Sequence, residues 1–157
     1  MGGIAEFRSV VLDCRDPQGL AEFYSRLLGR PVTSVEDDWV VVSDGSFPRL
    51  AFQLAPDHQP PVWPDPDRPQ QFHLDFTVHD MDAAEAEAIK IGAVKHEHQP
   101  SEDDSFRVFL DPAGHPFCLC LPDEAGTGPR GAGPVTGQRP AWASRSTAFL
   151  SSPSASS

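Results

Sequence analysis

Apolar and polar residues alternate along two well-separated stretches of this chain. In the first, Val10, Leu12 and Cys14 alternate with Ser9, Val11 and Asp13, the period of a strand with one buried face. In the second, Leu74, Phe76 and Val78 alternate with His73, Asp75 and Thr77. A helix signal follows each strand. Asp16-Pro17 reads as an N-cap with proline at the first helical position. Leu20, Phe23, Tyr24, Leu27 and Leu28 then recur at helical spacing, and Gly29 offers a left-handed stop. In the second stretch Asp80 is the cap, Met81, Ala84, Ala88 and Ile91 form the apolar face, and Gly92 is the stop. Three short strands follow each helix, over 31–35, 39–43 and 50–54, and then over 94–97, 106–110 and 116–121. Asp111-Pro112-Ala113-Gly114 marks the turn between the last two.

The two halves are therefore copies of one unit. Asp16 matches Asp80, Gly29 matches Gly92 and Ser9 matches His73, at separations of 64, 63 and 64 residues. The pattern predicts an α+β domain over 1–122, built from two tandem βαβββ modules at 7–55 and 71–122. Duplicated units bury their open faces against each other, so the expected form is a cupped mixed sheet with helices outside. The polar strand faces then point into the cup.

Composition refines this picture in three places. Six prolines between Pro56 and Pro69 exclude a helix or central strand and predict a stiff, extended connector over 56–70. Trp63 within it reads as a packing anchor. From 123 to 157 the chain turns to Gly, Pro, Ser, Thr and Ala without periodicity, which predicts a disordered tail. The formal net charge is -11, with no basic cluster, and that argues against a nucleic-acid partner. No apolar run approaches a membrane span and no leader pattern is present. Cys14, Cys118 and Cys120 are odd in number and lack zinc-type spacing, so a disulfide framework is not expected. Together these features predict a soluble cytoplasmic protein without a membrane partner.

Several polar residues share the inward parity. His73 and Asp75 stand side by side, Ser9 and Asp13 occupy the corresponding face of the first module, and Cys118 and Cys120 share strand parity while Phe117, Leu119 and Leu121 face the helices. A desolvated aspartate beside a histidine suits proton transfer, with Arg107 as a cationic partner. The two cysteines read most simply as small cavity-lining residues. His96 and His98 read as solvated edge-strand positions, and His58, His79 and His115 carry no assigned role.

Val10-Val11-Leu12-Asp13-Cys14-Arg15-Asp16-Pro17, Phe23-Tyr24 and Leu28-Gly29 resemble the first module of the vicinal oxygen chelate superfamily. That group includes glyoxalases, bleomycin-resistance proteins and extradiol dioxygenases. His73-Leu74-Asp75 and Asp111-Pro112-Ala113-Gly114-His115-Pro116-Phe117-Cys118 resemble the second module. The resemblance implies a cup in which one residue from each of four strands holds a divalent metal such as zinc, manganese, iron or nickel. Those positions correspond to Ser9, Gln53, His73 and Cys118. Serine is a poor ligand and cysteine replaces the usual glutamate, so His73, Gln53 and Cys118 are the metal candidates of a depleted set. The expected function is metal-free binding of a small organic molecule, of the bleomycin-resistance type, using Ser9, Asp13, Gln53, His73, Asp75, Arg107, Cys118 and Cys120. The alternatives are a metal-dependent lyase, isomerase or dioxygenase acting on vicinal oxygens, and metal-free acid–base catalysis by His73 and Asp75. The resemblance also implies a homodimer.

Overall fold

The computed structural model describes residues 6–122. The expectation of a tail at 123–157 lies outside the described residues. The first module runs β1 (Ser9–Cys14), α1 (Pro17–Leu28), β2 (Val32–Val35), β3 (Trp39–Val42) and β4 (Arg49–Leu54). The second runs β5 (Leu74–Thr77), α2 (Met81–Lys90), β6 (Val94–Lys95), β7 (Phe106–Leu110) and β8 (Pro116–Cys120). This is the expected βαβββ repeat.

Both helix starts form as their sequences dictate. Asp16 accepts a hydrogen bond from the Gly19 amide at 3.0 Å, and Asp80 accepts one from the Ala83 amide at 3.0 Å. Helix α1 ends on Gly29 at φ 64°, a conformation with a steric cost for any residue bearing a Cβ.

Each module forms its own open sheet, in orders β1-β4-β3-β2 and β5-β8-β7-β6. In both, the first strand pairs in parallel with the last. The expected cup is thus made of two four-stranded sheets rather than one continuous sheet, because β1 and β5 each stand at an edge of their own ladder. One apolar core binds the two. Leu12, Cys14, Leu50 and Phe52 from the first sheet join Phe109, Phe117 and Leu119 from the second. Helix α1 supplies the bridge: Phe23 meets Phe117 edge-on at 5.9 Å, and Tyr24 lies against Phe52 at 5.5 Å and Phe76 at 6.1 Å.

Tyr24 also crosses the modules with a polar contact. Its hydroxyl donates to Asp111 Oδ2 at 2.8 Å, joining residues 87 positions apart. Asp111 is 3 % exposed. It also accepts the Ala113 and His115 amides, and His115 Nδ1 lies 2.9 Å from Oδ2. A buried carboxylate so well supplied with donors carries little desolvation penalty.

The connector is not simply extended. The Val62 amide donates to the Arg68 carbonyl at 2.7 Å, so 62–68 doubles back on itself. Trp63 packs against the rings of His96 and His98 at 5.3 and 5.0 Å. That fits its expected anchoring role and gives the two histidines a packing partner that sequence parity did not supply. Strand β6 is shorter than expected. Beyond it, Gln99 takes over the edge, its amide donating to the His96 and Val108 carbonyls and accepting from the Val108 amide.

Candidate functional site

Strand alternation sorts the polar residues as the sequence predicts. Phe117 and Leu119 enter the core, whereas Cys118 is buried outside that core cluster on the opposite face. Asp75 stands directly opposite Cys118 in the β5–β8 ladder, and His73 precedes the ladder by one residue. His73 Nε2 lies 3.3 Å from Asp75 Oδ1. One ligand atom from each of His73, Asp75 and Cys118 lies within 4.8 Å of the others.

The electrostatics of this trio are internally consistent. The hydrogen bond that His73 donates to Asp75 raises the His73 pKa above its usual value, partly opposed by burial. The same bond holds the Asp75 carboxyl below its usual range. Burial pushes the Cys118 thiol strongly up, and the Asp75 charge adds to that shift. The His73–Asp75 contact thus favours the protonated imidazole and the ionised carboxyl, beside a thiol that burial keeps protonated.

The other expected residues are arranged differently. Ser9 pairs with Arg49 across the β1–β4 ladder, and its hydroxyl accepts from Arg49 Nε at 3.0 Å. Gln53 pairs with Asp13 instead, four positions further along. At roughly 3.3 Å per residue this separates the two rungs by about 13 Å, too far for Ser9 and Gln53 to share an ion. Gln53 is also exposed. In the repeat, Gln53 is level with Cys120, whereas the position level with Cys118 is Ala51. This register does not bring the four positions implied by the resemblance together: His73 and Cys118 stand beside Asp75, whereas Ser9 and Gln53 lie four rungs apart.

Arg107 is likewise corrected as the partner of Asp75 or Asp13. Alternation puts Phe106 and Val108 on the cup side, and the Arg107 guanidinium is held by Asp82 and Glu85 of α2 and by Asp104. Cys120 continues the Cys118 parity, partly buried and opposite Thr77.

Two cavities adjoin this region. A cleft of about 510 Å³ lies between β1, the start of β5 and the connector, and its lining includes Asp13, His58, Phe72, His73 and His115. Beyond His73, a pinched space of only about 20 Å³ separates Trp63 and Gln70 from Val108 and Cys118. The connector thus closes the second sheet's concave face while leaving His73 accessible from the β1 side. Another cleft, of about 550 Å³ beside the start of α1, shares His58, Gln59 and Pro60 but not His73. Sequence reasoning missed His58 and His115 as lining residues. The available signal was an aspartate four residues before His115 in a tight turn.

Two βαβββ modules with parallel first-to-last strand pairing and a polar face between them define a glyoxalase-type fold. The chain belongs to the glyoxalase-like domain family, whose model matches residues 9–120. Its fold is shared by a glyoxalase/bleomycin resistance protein/dioxygenase family enzyme from Burkholderia phytofirmans PsJN, at 20 % identity and TM-score 0.58, covering 74 % of this chain and 98 % of that one. A glyoxalase/bleomycin resistance protein from Albidiferax ferrireducens T118 is similar at 19 % identity and TM-score 0.52, covering 74 % and 98 %. A glyoxalase-related enzyme from Fulvimarina pelagi aligns at 14 % identity and TM-score 0.56, over 76 % and 89 %. No curated protein matches the chain. Among the described residues, no helix is long and apolar enough to cross a membrane.

Proposed function

We propose that the protein binds a small organic molecule in the cleft between β1, β5 and the connector, without a metal, with His73 as the central contact. The observation that carries this reading is the broken donor set. Where the superfamily pattern calls for ligands on the first module, Ser9 is engaged by a cationic arginine and Gln53 stands four rungs away. A cation beside the expected ion position disfavours a metal there. The cleft has the size typical of small-molecule sites, with apolar surface from Leu12, Phe72 and Pro116 interleaved with polar groups including Asp13, His73 and His115. Its ligand reaches His73, whose ring is paired with Asp75.

A metal-dependent enzyme is the second reading, favoured by the convergence of His73, Asp75 and Cys118. These three would hold the ion, and a soft divalent ion such as zinc would supply Lewis-acid polarisation of substrate oxygens. The thiol must lose its proton first, against the burial and the Asp75 charge that now retain it.

The test is a thermal-shift screen of small organic molecules on chelator-treated, full-length protein, repeated with His73→Ala. The binding reading expects stabilising ligands that survive chelation and lose at least tenfold in affinity on that substitution. Ligands that bind only after metal is restored would overturn it. A homodimer, as the resemblance implies, is proposed alongside and is read directly by sedimentation.

A further inference from the structure

The polar wall of the cleft formed by His58 and His115 has an organisation of its own. Asp111 receives the Tyr24 hydroxyl and two backbone amides, so its carboxylate acts purely as an acceptor. His115 Nδ1, 2.9 Å from Oδ2, must therefore carry the proton it donates. In the neutral ring this leaves Nε2 as a bare acceptor, held in orientation by a carboxylate with no exposed side-chain surface. His58 is fixed by parallel logic. Its Nε2 lies 3.3 Å from the Ala113 carbonyl, which can only accept, so Nδ1 is the bare nitrogen. The two rings lie 4.9 Å apart between centroids. Both line the same cleft as Asp13.

We infer that this wall recognises an organic cation with a flat apolar body, an aromatic ammonium or amidinium compound whose N–H groups donate to His115 and His58. The inference deepens the small-molecule reading above and rests on it. Two imidazole acceptors and the Asp13 carboxylate line the cleft, its single arginine, Arg68, is preceded by Asp67, and its third histidine, His73, is paired with the Asp75 carboxylate. Phe72 lines the cleft while 60 % exposed, an aromatic face without a core role that suits a cation–π contact. Pro60 and Pro116 add flat apolar surface.

The experiment is NMR of the histidine ring nitrogens in the full-length protein at pH 7.5, titrated with benzamidine and separately with benzoate. The probes share a planar shape and carry opposite charges. Benzamidine is expected to perturb His115 Nε2 and His58 Nδ1 and to bind at least tenfold more tightly than benzoate. His58→Phe keeps the ring volume, and His115→Gln keeps an N–H for Asp111; each should weaken benzamidine at least threefold and leave benzoate unchanged. Equal affinities, tighter benzoate, or benzamidine binding that perturbs neither ring would overturn the inference. Such a failure is separable from failure of the broader reading, because a ligand from the chelator-treated screen that still depends on His73 would leave that reading standing.

Discussion

Replacing Tyr24 by Phe isolates the polar bond that ties the two modules together. The ring contacts with Phe23, Phe52 and Phe76 survive, since they need only the aromatic body. What is lost is one donor, at 2.8 Å, to a carboxylate that is 3 % exposed. A buried hydrogen bond to a charged acceptor contributes about 1.5–3 kcal/mol, and Asp111 keeps its remaining donors, so the lower half of that range is expected. For a domain of this size that corresponds to a fall in Tm of about 6–9 °C. Denaturant unfolding should show a lower midpoint at unchanged slope. The pH dependence supplies an independent check. Burial, reinforced by the Asp111 charge, raises the Tyr24 pKa well above its usual value. The folded protein therefore holds this proton more tightly than the unfolded chain, and the associated stability is present below about pH 10 and lost as pH rises above it. The gap between wild type and Tyr24→Phe should narrow at alkaline pH. A loss below about 0.5 kcal/mol at neutral pH would refute the assignment, because it is less than a net neutral hydrogen bond usually contributes.

Three further outcomes follow from the geometry. Gly114 has φ 88° and a Cβ there would stand 2.6 Å from Pro60 Cβ, so Gly114→Ala should cost about 2 kcal/mol and weaken cleft binding through the displaced connector, whereas Gly29→Ala, with open space around it, should cost only about 1 kcal/mol of backbone strain; equal costs in equilibrium unfolding would contradict this. Arg107→Gln leaves Glu85, Asp82 and Asp104 without their cation and should cost about 1 kcal/mol, largely erased in 0.5 M salt, without changing ligand affinity; a binding defect in titration calorimetry would place Arg107 in the site after all. Burial pushes the Cys14 thiol up to about 11 and the Cys118 thiol higher still, so both should react slowly with iodoacetamide at pH 7.5 and faster as pH rises; rapid labelling of Cys118, read by peptide mass spectrometry, would mean that its surroundings favour thiolate.

The fold was legible because its signals are local. Alternation in 9–14 and 74–77, aspartate caps at Asp16 and Asp80 and the positive-φ Gly29 each act within a few residues, and their repetition identifies the duplication. Parity likewise separated Cys118 from Phe117 correctly. Register was not legible. Nothing in the sequence of β4 says that Gln53 lies opposite Asp13 rather than Ser9, because strand pairing is set by the assembled sheet. Arg107 was misplaced for a similar reason: its partners Asp82 and Glu85 come from a helix whose packing angle is a tertiary property. The Tyr24–Asp111 bond and the His58–His115 pair join distant segments, and the turn around Gly114 looked self-sufficient in sequence.

The proposed function turns on an organic ligand rather than a bound ion. The most direct measurement is elemental analysis of the purified full-length protein, paired with thermal-shift titrations of zinc, manganese, iron and nickel. Metal-free binding predicts well under one equivalent of metal and no saturable shift, in wild type and His73→Ala alike. Near-stoichiometric metal that vanishes in both His73→Ala and Cys118→Ala would contradict it and establish the His73–Asp75–Cys118 cluster as a metal centre.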